Sequence, residues 1–426
     1  MKSVFRTLIS FDNLMIVLAT CVAVVLLYVI PRNFDFLSPV SAALGDVDIT
    51  DLVFSQFRDE TEVTPDTNIV IVNIGHLDRA GIAAQIDRIA AEQPAVIGID
   101  AFFRQPKDDN PEGDTMLADV LRRTPNVVLV SKLIDADTTD EEDAFDALET
   151  SHPMFTQNVR AGYANIIIDD EASFLTCREV SFKEHYAGKT ATSFPVVLAQ
   201  HLDPTAAQQA LQREENVETI NYRGGLAKFY HFDVDQILDP ETDLSILRGK
   251  VVLMGYLGTT IGNPSLEDIF FTPLNERYVG RSLPDMHGIV IHANVLSMIL
   301  HGSYIDRMSD TTAILVGLAV LITNVLLFTY IYSRFENWYD TLALVLQLGQ
   351  SLFILYLTIV VFDERAYKLD LTPALLGVAL VGTVHDLYQD SLKKLILGAI
   401  AQARRRTVSK SPSDRTDTVE SSADKS

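Results

Sequence analysis

Asn68-Ile69-Val70-Ile71-Val72-Asn73-Ile74 is an apolar run of strand length, and its continuity predicts a strand covered on both faces. Residues 78–93 follow, where isoleucines recur at i, i+4 and i+7 from Ile82, which predicts a helix with one apolar stripe. Ala95-Val96-Ile97-Gly98-Ile99-Asp100 reads as a second buried strand. Strand, helix and strand therefore form a βαβ unit, which we expect to cross over right-handed into a parallel sheet.

Further segments of the same kind follow along the chain. The additional predicted strands are 126–130, 165–168, 217–222 and 250–255, and the additional predicted helices are 114–123, 193–201 and 288–300. The sequence thus predicts an α/β domain, a largely parallel sheet with flanking helices, over residues 31–311.

Four apolar runs lie outside that domain, at 14–30, 312–332, 341–362 and 372–388. The chain is 48% hydrophobic and only 21% charged, and its hydrophobicity is concentrated in these runs rather than spread along the sequence. We predict four α-helical transmembrane segments. For the first run a cleaved signal peptide is the competing interpretation, but no small-x-small cleavage site follows it.

Positive charges at both ends predict the orientation. Lys2 and Arg6 lie in residues 1–13, and Lys393, Lys394 and 404–406 lie in the tail 389–426, the last part of which we expect to be disordered. Positive flanks stay in the cytoplasm, so both termini are predicted there, with residues 31–311 on the far side of the cell (inner) membrane.

Composition excludes some classes of function. The chain has 34 basic and 57 acidic residues, which argues against nucleic acid as a partner. Cys21 and Cys177 are its two cysteines, too few for a disulfide framework. No Gly-x-Ser-x-Gly, His-Glu-x-x-His or Walker motif occurs, so we predict no enzyme, cofactor or metal, with hydrolase activity as an open alternative. The acidic segment 135–149 predicts a solvated loop, with calcium binding as an open alternative.

Several motifs resemble the CHASE2 family of extracytoplasmic sensor domains over about residues 40–305. They are Ile97-Gly98-Ile99-Asp100-Ala101-Phe102-Phe103 followed by Pro106, Asp114 and Leu117-Ala118; Asn221-Tyr222-Arg223-Gly224; Leu247-Arg248-Gly249-Lys250-Val251-Val252-Leu253-Met254-Gly255; Asp268-x-Phe270-x-Thr272-Pro273; and Met286-His287-Gly288-x-x-Ile291-His292-Ala293-Asn294. The segment Gly75-His76-Leu77-Asp78-Arg79 departs from the family's pattern, which leaves open whether a ligand is bound there.

The resemblance implies a sensor that relays an unknown signal through its transmembrane helices. Such domains usually feed kinases or cyclases attached after the last span, but only 38 residues follow Tyr388 here. We therefore expect an effector acting in trans. The alternative is a membrane scaffold or accessory subunit that holds envelope proteins. The lipid bilayer is a partner in both, and self-association into a homo-oligomer stays open.

Seven polar residues are candidates for a ligand or structural site. Asp100 ends a buried strand, where ligands bind in open parallel sheets, although capping the next turn explains it as well. Structural roles are the alternatives for the others. Arg104 could form a structural ion pair, and Asp114 could cap a helix. Asp268 and Thr272 could close a loop, and His292 could be a hydrogen-bonded histidine of the core. Asn294 completes the set through the resemblance.

Overall fold

The computed structural model describes residues 10–33, 49–57, 63–135, 145–167, 176–263, 265–275 and 283–395. They divide into two compact units. The helical unit comprises residues within 1–34, 308–358 and 369–426, and the sheet unit comprises those within 35–307 and 359–368.

Strands and helices alternate through much of the sheet unit. The strands are β1 (Asp66–Asn73), β2 (Val96–Ile99), β3 (Val127–Asp135), β4 (Phe145–Glu149), β5 (Arg160–Tyr163), β6 (Glu179–Ser181), β7 (Lys183–Tyr186), β8 (Lys189–Thr192), β9 (Val217–Thr219), β10 (Phe229–Phe232), β11 (Val251–Gly255), β12 (Ile269–Phe270), β13 (Met286–His287), β14 (Asp306–Arg307) and β15 (Tyr367–Lys368). The α-helices of the whole chain are α1 (Phe11–Asn33), α2 (Ile49–Leu52), α3 (Arg79–Ala91), α4 (Pro111–Arg123), α5 (Pro153–Thr156), α6 (Phe194–Leu202), α7 (Pro204–Leu211), α8 (Val234–Leu238), α9 (Gly288–His301), α10 (Asp310–Arg334), α11 (Tyr339–Arg365) and α12 (Thr372–Leu387).

The main sheet of the described residues has the strand order β10-β1-β11-β2-β3, after which β3 pairs with β5 and with β4. All pairings from β10 to β5 are parallel. β4 is antiparallel to β3, and β7 and β8 continue from β4. The predicted α/β class, with a largely parallel sheet, is therefore confirmed.

Hydrophobic residues on both faces of this sheet are buried, which explains the continuous apolar runs. Along β1, Ile69 and Ile71 belong to one core cluster, whereas Val70 and Val72 belong to the other. Helices α3 and α4 cover the second face, and α6 and α9 cover the first. Helix α3 begins where the Asp78 carboxylate accepts the Gly81 N–H, as expected for an N-cap.

Some predicted elements are wrong. Residues 165–168 were expected to form a strand, but β5 ends at Tyr163. The predicted strand 217–222 ends at Thr219. Within the acidic segment 135–149, Phe145–Glu149 is the strand β4 rather than a loop. Residues 136–144 lie outside the described residues, and so do the calcium-loop positions among them and the tail after Arg406.

The helical unit contains α1, α10, α12 and α11 up to residue 358. Helices α10 and α11 are long and apolar enough to cross a bilayer. Both leave large apolar side chains exposed, such as Leu315 and Phe353 at 61% and 62%. The apolar stretch Phe11–Leu27 of α1 is shorter, and α12 has 16 residues. Cys21 and Cys177 are both free thiols.

Candidate functional site

A cleft of about 280 Å³ opens at the carboxyl ends of the parallel strands β2 and β5 and beside the middle of β3. Its lining includes residues from β3 and the positions after β2 and β5, from the β12 region and from the first turns of α9. They are Asp100, Phe102, Ser131, Lys132, Ala164, Asn165, Ile166, Asp268, Phe270, Gly288 and His292. Three of the seven sequence candidates, Asp100, Asp268 and His292, thus meet in one cleft.

Asp100 follows β2 directly and lines the cleft. Its backbone N–H donates to the Met254 carbonyl at 2.8 Å, but its carboxyl group has no hydrogen-bond partner among the described residues, so it caps no described turn. Burial disfavours the charged carboxylate and raises the pKa of Asp100 to about 6. This carboxyl group is therefore available to a ligand.

Asp268 lies over the first residue of α9. A Cβ placed on Gly288 would come within 3.1 Å of an Asp268 carboxyl oxygen. Burial and the nearby Asp100 raise the pKa of Asp268 to about 7, against the lowering effect of the Gly288 N–H. Because more than a third of this residue is exposed, burial contributes less here than at Asp100. Its φ of +52° is uncommon outside glycine and is typical of binding sites.

His292 lies one turn into α9 and is 6% exposed. Its ring packs edge-on against Phe194, with 5.5 Å between ring centroids. Burial lowers its pKa to about 4, so the imidazole is neutral at physiological pH. No hydrogen bond to His292 exists within the described part of the chain, which argues against the hydrogen-bonded core histidine.

Arg104 and Asp114 lie outside the cleft. Arg104 donates to the Glu149 carboxylate at 2.6 Å, and the two side chains are 57% and 31% exposed. Asp114 is not the helix cap, because the Asn110 side chain accepts the Gly113 N–H at the start of α4. Instead Asp114 is buried, accepts hydrogen bonds from Arg79 and from the Lys107 N–H, and holds a structural ion pair.

Thr272 and Asn294 are also engaged elsewhere. The Thr272 N–H and hydroxyl both donate to the Asp285 carboxylate, at 2.9 and 2.5 Å. The Asn294 amide oxygen accepts the Arg223 N–H at 2.7 Å, and its amide nitrogen donates to the Gly224 and Val290 carbonyls. Both side chains therefore stabilise loops rather than present groups to a ligand.

The sequence did not indicate several of the other residues that line the cleft. Lys132 continues β3 beyond its pairing with β2, and Asn165 follows β5, a strand that the sequence misplaced. Phe102 and Phe270 supply aromatic walls and stand within the family motifs quoted above. The rule that ligands bind at strand carboxyl ends could have found Asn165 once β5 was placed correctly.

The cleft is suited to binding more than to nucleophilic catalysis. Ser131, His292 and two carboxyl groups line it, but among the described residues no hydrogen bond joins Ser131 or either carboxyl group to the imidazole. A serine nucleophile needs such a relay to a base. No group of three or more His, Cys, Asp or Glu side chains in the described ranges could hold a metal ion.

A larger cavity of about 500 Å³ lies elsewhere in the sheet unit, among residues of β6, β9, β14 and β15. Its central Arg213 donates to Glu218 at 2.5 Å and to Asp306 at 2.7 Å. A second arginine, Arg307, pairs with Glu215. Both arginines of this cavity therefore already have carboxylate partners, and the smaller cleft, whose carboxyl groups form no described salt bridge, is the better candidate site.

The raised pKa values predict a pH dependence of stability. Both carboxyl groups bind protons more tightly folded than unfolded, where their pKa is about 3.9. The folded state therefore loses stability as pH rises from about 4 through about 7, and this loss is complete at about pH 8. Lys132 and His292 are the other ionisable side chains lining the cleft.

We expect the double variant D100N/D268N to show a smaller fall in melting temperature between pH 5 and pH 8 than the unmodified chain. Equal falls would contradict the assignment.

Comparison with known proteins places the chain in one family. The model of the CHASE2 domain matches residues 20–367. Searches of curated proteins and of solved structures give no match. Since the matched region covers most of the 426 residues, this protein belongs to the CHASE2 domain family.

Proposed function

We propose that this protein is a multi-pass membrane sensor that binds a small molecule in the extracytoplasmic cleft and relays its presence to a separate effector. CHASE2 is an extracytoplasmic domain, which supports the location. The observation that carries the proposal is the convergence of Asp100, Asp268 and His292, without internal hydrogen-bond partners among the described side chains, at the carboxyl edge of a parallel sheet. Open α/β sheets bind ligands at this edge, so we propose binding rather than catalysis.

Contacts inside each unit support four spans with both termini cytoplasmic. In the helical unit, Asp12 at the start of α1 accepts hydrogen bonds from Tyr388 and Lys393, which follow α12. The first and last helices therefore have these ends side by side. In the sheet unit, Phe362 near the end of α11 packs edge-on against Phe54, with 5.8 Å between ring centroids. This ring contact supports a position of the α11 end on the extracytoplasmic side of the membrane.

The chain offers a direct route for the relay. His292 and Gly288 belong to α9, and only the segment 302–309 separates α9 from α10. A ligand shifts an equilibrium only by its different affinities for the two states. We propose that occupancy of the cleft favours one position of α9, and that α10 transmits this bias.

Cysteine labelling in intact cells tests the topology. In a background that lacks Cys21 and Cys177, a membrane-impermeant maleimide should label A161C, an exposed position on β5. The same reagent should label L395C, 69% exposed beyond α12, only after permeabilisation. Labelling of L395C in intact cells would contradict the proposed orientation.

The relay has an intrinsic reporter, because Trp338 is the single tryptophan and lies between α10 and α11. We expect a neutral benzyl thiosulfonate adduct at A164C, on the cleft lining, to shift Trp338 fluorescence of the full chain in nanodiscs. The matched A161C adduct should not. Unchanged fluorescence with a filled cleft would contradict the relay and favour the scaffold alternative.

A further inference from the structure

The charges around the cleft leave its two carboxyl groups uncompensated. Lys132 stands opposite Glu149 in the β3–β4 register, and Arg104 pairs with the same Glu149. Within the described residues, neither Asp100 nor Asp268 forms a salt bridge. A backbone group, the Gly288 N–H, lowers the pKa of Asp268, and no described side chain does. A ligand entering here meets two carboxyl groups that form no described salt bridge, with Lys132 as the one lysine in the lining.

A buried imidazole adds a hydrogen-bonding group to the two carboxyl groups of the cleft. His292 is only 6% exposed and lines the cleft. Its side chain has no hydrogen-bond partner in the described parts of the chain. Because the ring lines the cleft, its nitrogen atoms can pair with water or with a ligand. The neutral ring offers one donor and one acceptor.

Apolar surface completes the lining. Phe102, Phe270 and Ile166 contribute side chains to the cleft. The Arg104 guanidinium lies 4.6 Å from the centre of the Phe102 ring, so this aromatic rim already attracts one cation through its π face. Pockets of this kind combine apolar walls with a few polar groups that fix orientation.

We infer that the cleft binds a small organic cation, a protonated amine carried on an apolar body, with the ammonium group between Asp100 and Asp268 and the body against Phe270. This inference rests on the proposed function and names its ligand by chemical class. A free metal ion fits less well, because no described group of three ligands has suitable geometry. A carboxylate or phosphate ligand would be repelled by the ionised fraction of these two carboxyl groups.

Thiol reagents of opposite charge test the inference without a known ligand. The probes are the cationic trimethylammonium-ethyl and the anionic sulfonato-ethyl methanethiosulfonates, with the neutral methyl reagent as reference. They are applied to the full-length chain in nanodiscs, in a variant that lacks Cys21 and Cys177. This variant carries either A164C in the cleft or A161C at an exposed position of β5. We expect the cation-to-anion ratio of reaction rates to be at least about tenfold higher at A164C, which corresponds to about 1.4 kcal/mol.

Charge removal provides the second arm. D100N or D268N should each lower that ratio severalfold at A164C and leave it unchanged at A161C, whereas K132Q should raise it. Equal ratios at both cysteines, or faster reaction of the anionic reagent in the cleft, would overturn the cation class while leaving an open binding cleft and the proposed function in place. No reaction of A164C even with the neutral reagent would mean a closed cleft and would overturn both. A cation preference without any Trp338 response would support the ligand class and contradict the sensor.

Discussion

Replacing Asp114 by Asn is expected to lower the free energy of unfolding of the sheet unit by about 3 kcal/mol or more, as for other buried ion pairs that lose one partner. Asp114 is 2% and Arg79 7% exposed, and they form a salt bridge. Burial opposes the charged form, but the hydrogen bonds from Arg79 and Lys107 prevail and lower the pKa of Asp114. The variant would leave the Arg79 guanidinium charged, buried and without a counterion.

The exposed pair of Arg104 and Glu149 is the matched control, since the Arg104 side chain is 57% exposed. E149Q should change stability by less than about 1 kcal/mol. Native-state hydrogen exchange of peptides from β1 and β2, measured in the full-length chain, gives both values because core strands open only with the whole unit. If D114N and E149Q lowered the free energy of unfolding by similar amounts, the buried pair would stabilise the unit no more than the exposed pair does.

Replacing Phe194 by Ala is expected to destabilise the same unit by about 3–5 kcal/mol, the range for truncating buried aromatic residues. Phe194 is fully buried, and its packing is tight enough that two glycines are needed beside it. A Cβ on Gly98 would lie 2.8 Å from the Phe194 ring, and one on Gly162 would lie 2.6 Å from the Phe194 Cα. The cavity left by the ring cannot easily collapse.

The same substitution should also disturb the cleft, because the Phe194 ring supports the His292 imidazole. F194L is the control: it keeps most of the apolar volume, and we expect a loss below about 1.5 kcal/mol. Hydrogen exchange in β2 and the A164C rate ratio would be measured on both variants. If F194A left exchange in β2 unchanged, Phe194 would not be part of the cooperative core.

The sequence alone was sufficient to predict the central strands of the sheet and the helix α3. Runs such as 68–74 and 95–100 are apolar without interruption because both of their faces are covered, and the spacing from Ile82 indicated α3. The order of the strands could not be predicted in this way: β11, from the far end of the domain, lies between β1 and β2. Only long-range packing decides such an insertion.

The edge of the sheet was hardest to predict. β4 consists of Phe145-Asp146-Ala147-Leu148-Glu149, none of which is fully buried, so its acidic composition suggested a loop. Position at a strand end indicated Asp100, and motif resemblance indicated Asp268 and His292. That these three meet depends on the β12 segment and α9 reaching the end of β2, which no local pattern encodes. Asp114, Thr272 and Asn294 fitted the motifs equally well but have partners of their own.

The hydrogen bonds of Asp12 join residues 376 and 381 positions apart. At synthesis rates of about 5–20 residues per second, Asp12 is made roughly 20–75 seconds before Lys393. Throughout that interval Asp12 lacks Tyr388 and Lys393, so early insertion of α1 must rely on its own hydrophobicity. Completion of the bundle is thus a late event in biogenesis, and a ribosome that stalls before α12 releases a chain whose first helix has no final neighbour.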